Sequence, residues 1–260
     1  MRMLFELFDY LFTPATRQAR AMGYLGQSIS LKYRFKRCRR FWKPHFAQCE
    51  KVIIEAVEKT KRKQTVMILG SGDLQEIPIE YLVAHFQKIF LVDIVHSRQI
   101  KRLVKNHPKF EAIQVDLNGF LYQKLNKENP MMMIQGPPSL PPADLIISAN
   151  LLSQLPLKPA EYLRKHKVAD EKIDQVSFEL QKNHLSWLSQ TPSNILLYSD
   201  YELQFLDQNG ILIESKATIP ENLLPFNQCR QWEWDLAPIP EFDKKIGLKM
   251  KVSSCLLKIN

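Results

Sequence analysis

A chain of 260 residues can bury one sizeable core, and a hydrophobic share of 45% with 24% charged residues excludes a disordered or fibrous polypeptide. The net charge of +9 is lopsided: residues 1–63 hold 15 Lys/Arg against 5 Asp/Glu, and the remainder is close to neutral. No apolar run is long enough to cross a bilayer, and Glu6 and Asp9 interrupt the apolar start where a secretory leader stays unbroken.

Helical spacing predicts a first helix over Met3–Phe12, stopped near Thr13-Pro14. A second is predicted from about Thr16 to Trp42, with a break near Gly23 or Gly26 and an end before Pro44, and a third from His45 to Thr60. After the basic run Lys59–Lys63, short apolar strands alternate with helical stretches, the pattern of a parallel sheet with crossover helices. Predicted strands are Thr65–Gly70, Lys88–Asp93, Glu111–Asp116, Asp144–Ala149 and Asn194–Ser199; predicted helices are Ile77–Phe86, Ser97–Asn106 and Pro159–Leu188. Asn209-Gly210, flanked by Glu202–Leu206 and Gly210–Glu214, signals a hairpin. Gln231–Ala237 and Leu248–Ile259 are expected to pair antiparallel, and the Pro- and Met-rich stretch Asn129–Pro142 is expected to be a lid or a surface loop. The cysteines Cys38, Cys49, Cys229 and Cys255 lack the spacing of a disulfide framework or metal site. A soluble, cytoplasmic protein without a bound metal is the expectation.

Chemistry concentrates at the strand exits. Leu69-Gly70-Ser71-Gly72-Asp73 directly follows the first strand, where glycines let the backbone approach a ligand and a following helix N-terminus presents free amides to an anion. Asp93 ends the second strand, placed to accept both hydroxyls of a ribose, and Asp116 repeats that position after the third, facing an adenine amino group or capping the next segment. Both aspartates can equally cap turns, and Asn150, after the fourth strand, suits a helix N-cap. A dinucleotide fingerprint would want a third glycine where Gln75 stands.

These pieces resemble the class I S-adenosylmethionine (SAM)-dependent methyltransferases over roughly residues 64–260, and the wording GYL…RCRRFWKPH…ILGSGDL…LVDIVH…WEW resembles a bacterial branch of that superfamily. The resemblance implies an α/β, Rossmann-like, seven-stranded, mostly parallel sheet with an antiparallel C-terminal strand, behind a basic helical extension of residues 1–63. It implies SAM as cofactor, held by Leu69, Gly70, Ser71, Gly72, Asp93, Asp116, Ser148, Ala149 and Asn150. The chain departs from the family at Ile68, where an acid usually precedes the first glycine, and at Leu74, where a glycine often stands. The Gly-Ser-Gly turn also resembles nicotianamine synthases, which leaves an aminocarboxypropyl transfer open, as is SAM binding without catalysis.

Asn150, Asp200 and Glu202 sit at the ligand-facing edge as candidates for catalysis. In Lys32–His45 (KYRFKRCRRFWKPH), Tyr33, Arg37 and Arg40 share a helical face, so that they and His45 can grip an acidic substrate or RNA; the alternative is a solvated helix packed through Phe35 and Trp42. A small-molecule acceptor is the first expectation and RNA the second.

Overall fold

A computed structural model describes residues 2–224 and 229–258. Three helices come first: α1 (Arg2–Phe12), α2 (Arg17–Ala21) and α3 (Tyr24–Lys59). Strands and helices then alternate as β1 (Thr65–Leu69), α4 (Ile79–His85), β2 (Lys88–Asp93), α5 (Arg98–Asn106) and β3 (Phe110–Gln114). The chain continues through β4 (Leu145–Ala149), α6 (Leu157–Lys165), α7 (Asp170–Gln190), β5 (Asn194–Leu206), β6 (Leu212–Ala217), β7 (Arg230–Ala237) and β8 (Gly247–Lys258).

The sheet runs β3-β2-β1-β4-β5-β8-β7, with β6 paired to the outer part of β5. Strands β1 to β5 are mutually parallel, and β8 lies antiparallel between β5 and β7. This is the expected mostly parallel sheet with its antiparallel C-terminal strand, and the second arm of the expected hairpin makes an eighth strand. That strand, β6, follows the Asn209-Gly210 turn, where Gly210 takes φ 78°. The strand Asn194–Ser199 and the hairpin arm Glu202–Leu206 form one strand of 13 residues, whose register against β8 shifts between Asp200 and Glu202. A bulge at that point lets the strand outgrow the core without a break. The expected end of the last strand at Ile259 lies outside the described residues.

The apolar runs of β1, β2 and β4 are buried on both faces, which is what a parallel sheet between two helical layers demands. One layer is the C-terminal half of α3 with α4, whose Cys49, Val52, Ile53, Val57 and Leu82 share a core with Val66, Ile68, Ile89 and Ile147. The other is α7, whose Leu188 packs with Met67, Leu69, Val92 and Ile195. Each such side chain contributes roughly 1.5–3 kcal/mol by leaving water. The C-terminal half of α3 is therefore part of the main core.

Three expectations need correction. Pro44 does not divide α3; the helix passes through it for 36 residues. A mid-helix proline costs about 3 kcal/mol through its missing donor and ring clash. Here that cost is offset because Trp42, His45 and Cys49, on either side of it, are all buried. Pro159–Leu188 is two helices, separated at residues 166–169, where Lys167 takes φ 60° and buried Val168 turns the chain inward. Finally, Cys229 and Cys255 form a disulfide, while Cys38 and Cys49 are free and buried. The pairing Arg230↔Ser254 brings those cysteines together, and a cross-strand register leaves no signature in linear spacing. The stretch Asn129–Pro142 is anchored by Pro130 and Met133, Met133 within the core formed with α6 and α7.

Candidate functional site

The exits of β1 and β2 are tied together by one carboxylate. The Gly72 amide donates to Asp93 Oδ2 at 2.8 Å, and the Ile94 amide donates to Asp93 Oδ1 at 2.7 Å. Burial raises the Asp93 pKa, while these amides pull it back. Gly70 sits at φ 72°, and a Cβ there would lie 3.1 Å from Leu151 Cβ and 3.2 Å from the Ala149 carbonyl oxygen. Only glycine fits so close to the neighbouring strand exit. Residues 70–78 form a loop and α4 begins at Ile79, within two residues of the expected start at Ile77.

At the exit of β3, Asp116 accepts from the Asn118 amide at 2.9 Å and the Leu121 amide at 2.6 Å. Its pKa is raised by burial. The carboxylate caps its loop, as the second sequence reading had it, yet also borders the same cavity as Asp93. An ionised carboxylate has about four acceptor sites, so two amides do not exhaust it.

That cavity is walled by Gly70 through Glu76, Asp93, Asp116, Ala149 and Asn150, and roofed by α3 through Tyr24, Ser28, Lys32, Phe35, Trp42 and Phe46. Two oxygens on residues that line it lack a partner among the described residues. Ser71 Oγ and Asp73 Oδ1 are both buried and unbonded. Such groups are costly unless something satisfies them, and a bound polar ligand does.

The sequence-predicted residues divide cleanly. Gly70, Ser71, Gly72, Asp93, Asp116, Ala149 and Asn150 line the cavity together. Leu69 does not; it is wholly buried in the sheet's core. Ser148 turns the other way and meets His184 Nε2 at 3.0 Å, because alternation along β4 sends neighbouring side chains to opposite faces. Asn150 is not an N-cap. It sits at φ 46°, and its Oδ1 accepts from the Asp200 amide at 2.9 Å, so it fastens β4 to β5. Asp200 is buried against the Ser153 hydroxyl at 2.7 Å, its pKa raised by that burial, and Glu202 pairs with Lys251 and Gln204. Neither of those acids lines the cavity.

On α3, Tyr33 donates to Asp9 at 3.1 Å and Arg37 holds Glu241 at 2.8 Å, so acids of α1 and of the loop before β8 already occupy this face. Arg40 is exposed, its guanidinium over the Phe41 ring. None of the three reaches the cavity wall, whereas His45 is buried beneath it. Trp232 and Trp234 pack under α3, with Trp42 and Trp234 edge to face at 4.9 Å.

Sequence reading missed Glu76, Trp42 and Phe46 as cavity residues. Glu76 touches Tyr198 from β5 and His45 from α3, contacts that no local pattern encodes.

Five parallel strands, a β8 inserted antiparallel, and a glycine turn facing two acidic strand exits are now in one frame. This is the sheet that the resemblance to the class I methyltransferases implies. No protein-family model matches the chain. No curated protein matches it in sequence. Among solved structures it is similar to the N-methyltransferase NodS from Bradyrhizobium japonicum WM9 in complex with S-adenosyl-L-homocysteine (SAH), with 10% identity, 82% of this chain and 87% of that one covered, and a TM-score of 0.40. It is also similar to a DhpI–SAM–HEP complex, at 11% identity, 92% and 99% coverage and a TM-score of 0.38. An rRNA methylase from Streptococcus thermophilus has 12% identity, 76% and 91% coverage and a TM-score of 0.30.

Proposed function

We propose that this chain is a SAM-dependent methyltransferase acting on a small molecule, with residues 64–260 as the transfer domain and residues 1–63 supplying its roof. The carrying observation is that Ser71 and Asp73, each with an unpartnered side-chain oxygen among the described residues, line one cavity with Asp93 and Asp116. The close approach at Gly70 fits a nucleoside lying across the strand exits. Gly70, Ser71 and Gly72 would carry the donor's backbone contacts, Asp93 its ribose and Asp116 its base, with Ala149 and Asn150 on the sulfonium and acceptor side. Asp73 offers a carboxylate for the donor's ammonium, which buried, apolar Ile68 cannot.

When bound, SAM supplies an electrophilic methyl group on a sulfonium. The chain's own part is positioning and exclusion of water: α3 closes the cavity with apolar and aromatic side chains, which favours a fixed approach of the two reactants. Supporting a small acceptor over RNA, Arg37 and Tyr33 already have protein partners, and the roof covers the cavity.

Calorimetry with SAH, SAM and NAD tests the reading. SAH is expected to bind and NAD not. Asp93→Ala should weaken SAH by about 2 kcal/mol, roughly thirtyfold, the scale of losing hydrogen bonds to a charged acceptor. Binding of NAD alone, or an unchanged SAH affinity in Asp93→Ala, overturns it.

A further inference from the structure

Beside the donor end, the cavity has a second end with a chemistry of its own. Its wall there is Trp42, Phe46, Phe35 and Trp234, and one carboxylate, Glu76, sits among them. That carboxylate is held from both sides. The Tyr198 hydroxyl donates to Glu76 Oε1 at 2.9 Å, and His45 Nε2 lies 3.1 Å from Glu76 Oε2.

The direction of the second bond follows from its neighbour. Trp232 Nε1 is a donor only, and it reaches His45 Nδ1 at 2.9 Å. Nδ1 therefore accepts, the ring proton of neutral His45 is on Nε2, and His45 donates to Glu76. Trp234 stacks on the same ring, with centroids 4.2 Å apart and planes within 8°. A chain from Trp232 through His45 thus fixes Glu76 in place. Cys49 Sγ lies 3.5 Å from His45 Nε2, but burial raises the Cys49 pKa well above its ordinary value, so it stays a neutral thiol.

Both donors to Glu76 are neutral, and no Lys or Arg pairs with it among the described residues. The cavity as a whole is short of positive charge: Asp73, Glu76, Asp93 and Asp116 line it against one ammonium, Lys32, which is itself bound to Asp9 at 2.8 Å. A SAM molecule brings a sulfonium and an ammonium but also a carboxylate, a net of one positive charge. An uncompensated carboxylate beside indole and phenyl faces is a site for a cation, since rings and carboxylate attract it together.

We infer that Glu76, with Trp42, Phe46 and Trp234, forms the acceptor subsite, and that the acceptor is a small organic amine entering as an ammonium. The inference rests on the methyltransferase reading only in naming this ligand the acceptor. Methylation at that nitrogen needs its lone pair, so an N–H bond first breaks and its proton passes to a Glu76 oxygen. The freed pair then bonds to the methyl carbon as the C–S pair leaves with sulfur, and the proton on Glu76 goes to water when the methylated ammonium departs. His45 and Trp232 are positioning residues: His45 touches Glu76, Trp232 holds His45, and neither lines the cavity.

The full-length protein is titrated with 2-phenylethylamine and with its neutral match 2-phenylethanol, followed by calorimetry and tryptophan fluorescence, with and without saturating SAH. The amine is expected to bind at least tenfold tighter than the alcohol. Glu76→Gln should reduce that preference below twofold while leaving SAH affinity within twofold, and Trp232→Phe should weaken the amine severalfold and the alcohol not at all. Equal binding of the two probes, no binding of either, or a preference that survives Glu76→Gln overturns the subsite. So does one zinc per purified chain that is lost in Cys49→Ala, because His45, Cys49 and Glu76 would then be a metal centre. A protein that prefers the amine but binds no SAH keeps the subsite and loses the donor reading; the converse result does the reverse.

Discussion

Helix α3 has two faces of opposite character. Outward it carries Lys36, Arg39, Arg40 and Lys43, all exposed; inward it lays Phe35, Trp42 and Phe46 over a cavity whose wall is acidic. The overall charge of +9 describes the first face and misdescribes the second. Net charge governs what a protein meets at long range, whereas recognition inside a roofed cavity is decided by groups within a few ångströms. A basic segment next to an active site therefore need not imply an acidic substrate.

The difference between the faces is broken most severely from inside. Trp42 is 3% exposed, stacks edge to face on Trp234 and donates to the Leu236 carbonyl at 3.0 Å. Trp42→Ala should cost about 3–5 kcal/mol of stability, the range for truncating a buried aromatic, read as a fall in the denaturation midpoint. An outer-face substitution of equal effect would show that burial does not separate the two faces.

Two buried histidines sharpen the same contrast across the sheet. His45 faces a carboxylate, whereas the hydrogen-bond partner of His184 on α7 is the Ser148 hydroxyl, and burial lowers its pKa to about 4. Its folded pKa lies below the unfolded value near 6.5, so between these values the unfolded chain binds the extra proton. Stability is then complete above about pH 6.5 and declines by about 3 kcal/mol as pH falls toward 4. Urea unfolding at pH 7.5 and 4.5 measures the loss, which His184→Gln should largely remove. If the variant keeps the full pH dependence, the loss belongs to other groups.

What could be read in advance follows the range of the interactions involved. The bounds of β2, the glycine turn and the shared edge of Asp93 and Asp116 were legible because each depends on a few neighbouring residues. Continuity of α3 across Pro44, the Cys229–Cys255 link and the turn of Ser148 toward His184 were not, since each is settled by packing between elements distant in sequence. Glu76 is the extreme case: its partners are 31 and 122 positions away, and in sequence it is one glutamate in a loop.

A smaller effect is expected at Arg37, on the boundary between the faces, where it grips Glu241 through two nitrogens. A partly exposed pair of this kind contributes about 1 kcal/mol at most. Arg37→Ala should therefore lower stability slightly, less so at high salt, and leave SAH affinity unchanged. A loss of SAH binding would mean that this residue reaches the cavity after all.

The smallest effect should come from the outermost charges. Lys36→Ala, Arg39→Ala and Lys43→Ala combined should change stability by less than about 0.5 kcal/mol, as solvated side chains away from packing do. The informative readout is retention on immobilised RNA as salt is raised. Phosphate contacts release counterions, so three lost contacts would flatten the logarithmic salt slope by about 2–3. With an acceptor that enters beneath α3, the native chain should show weak retention and almost no slope to lose. A steep slope that the triple substitution flattens would instead make the outer face the functional one, and the acidic cavity would have to be explained by its donor alone.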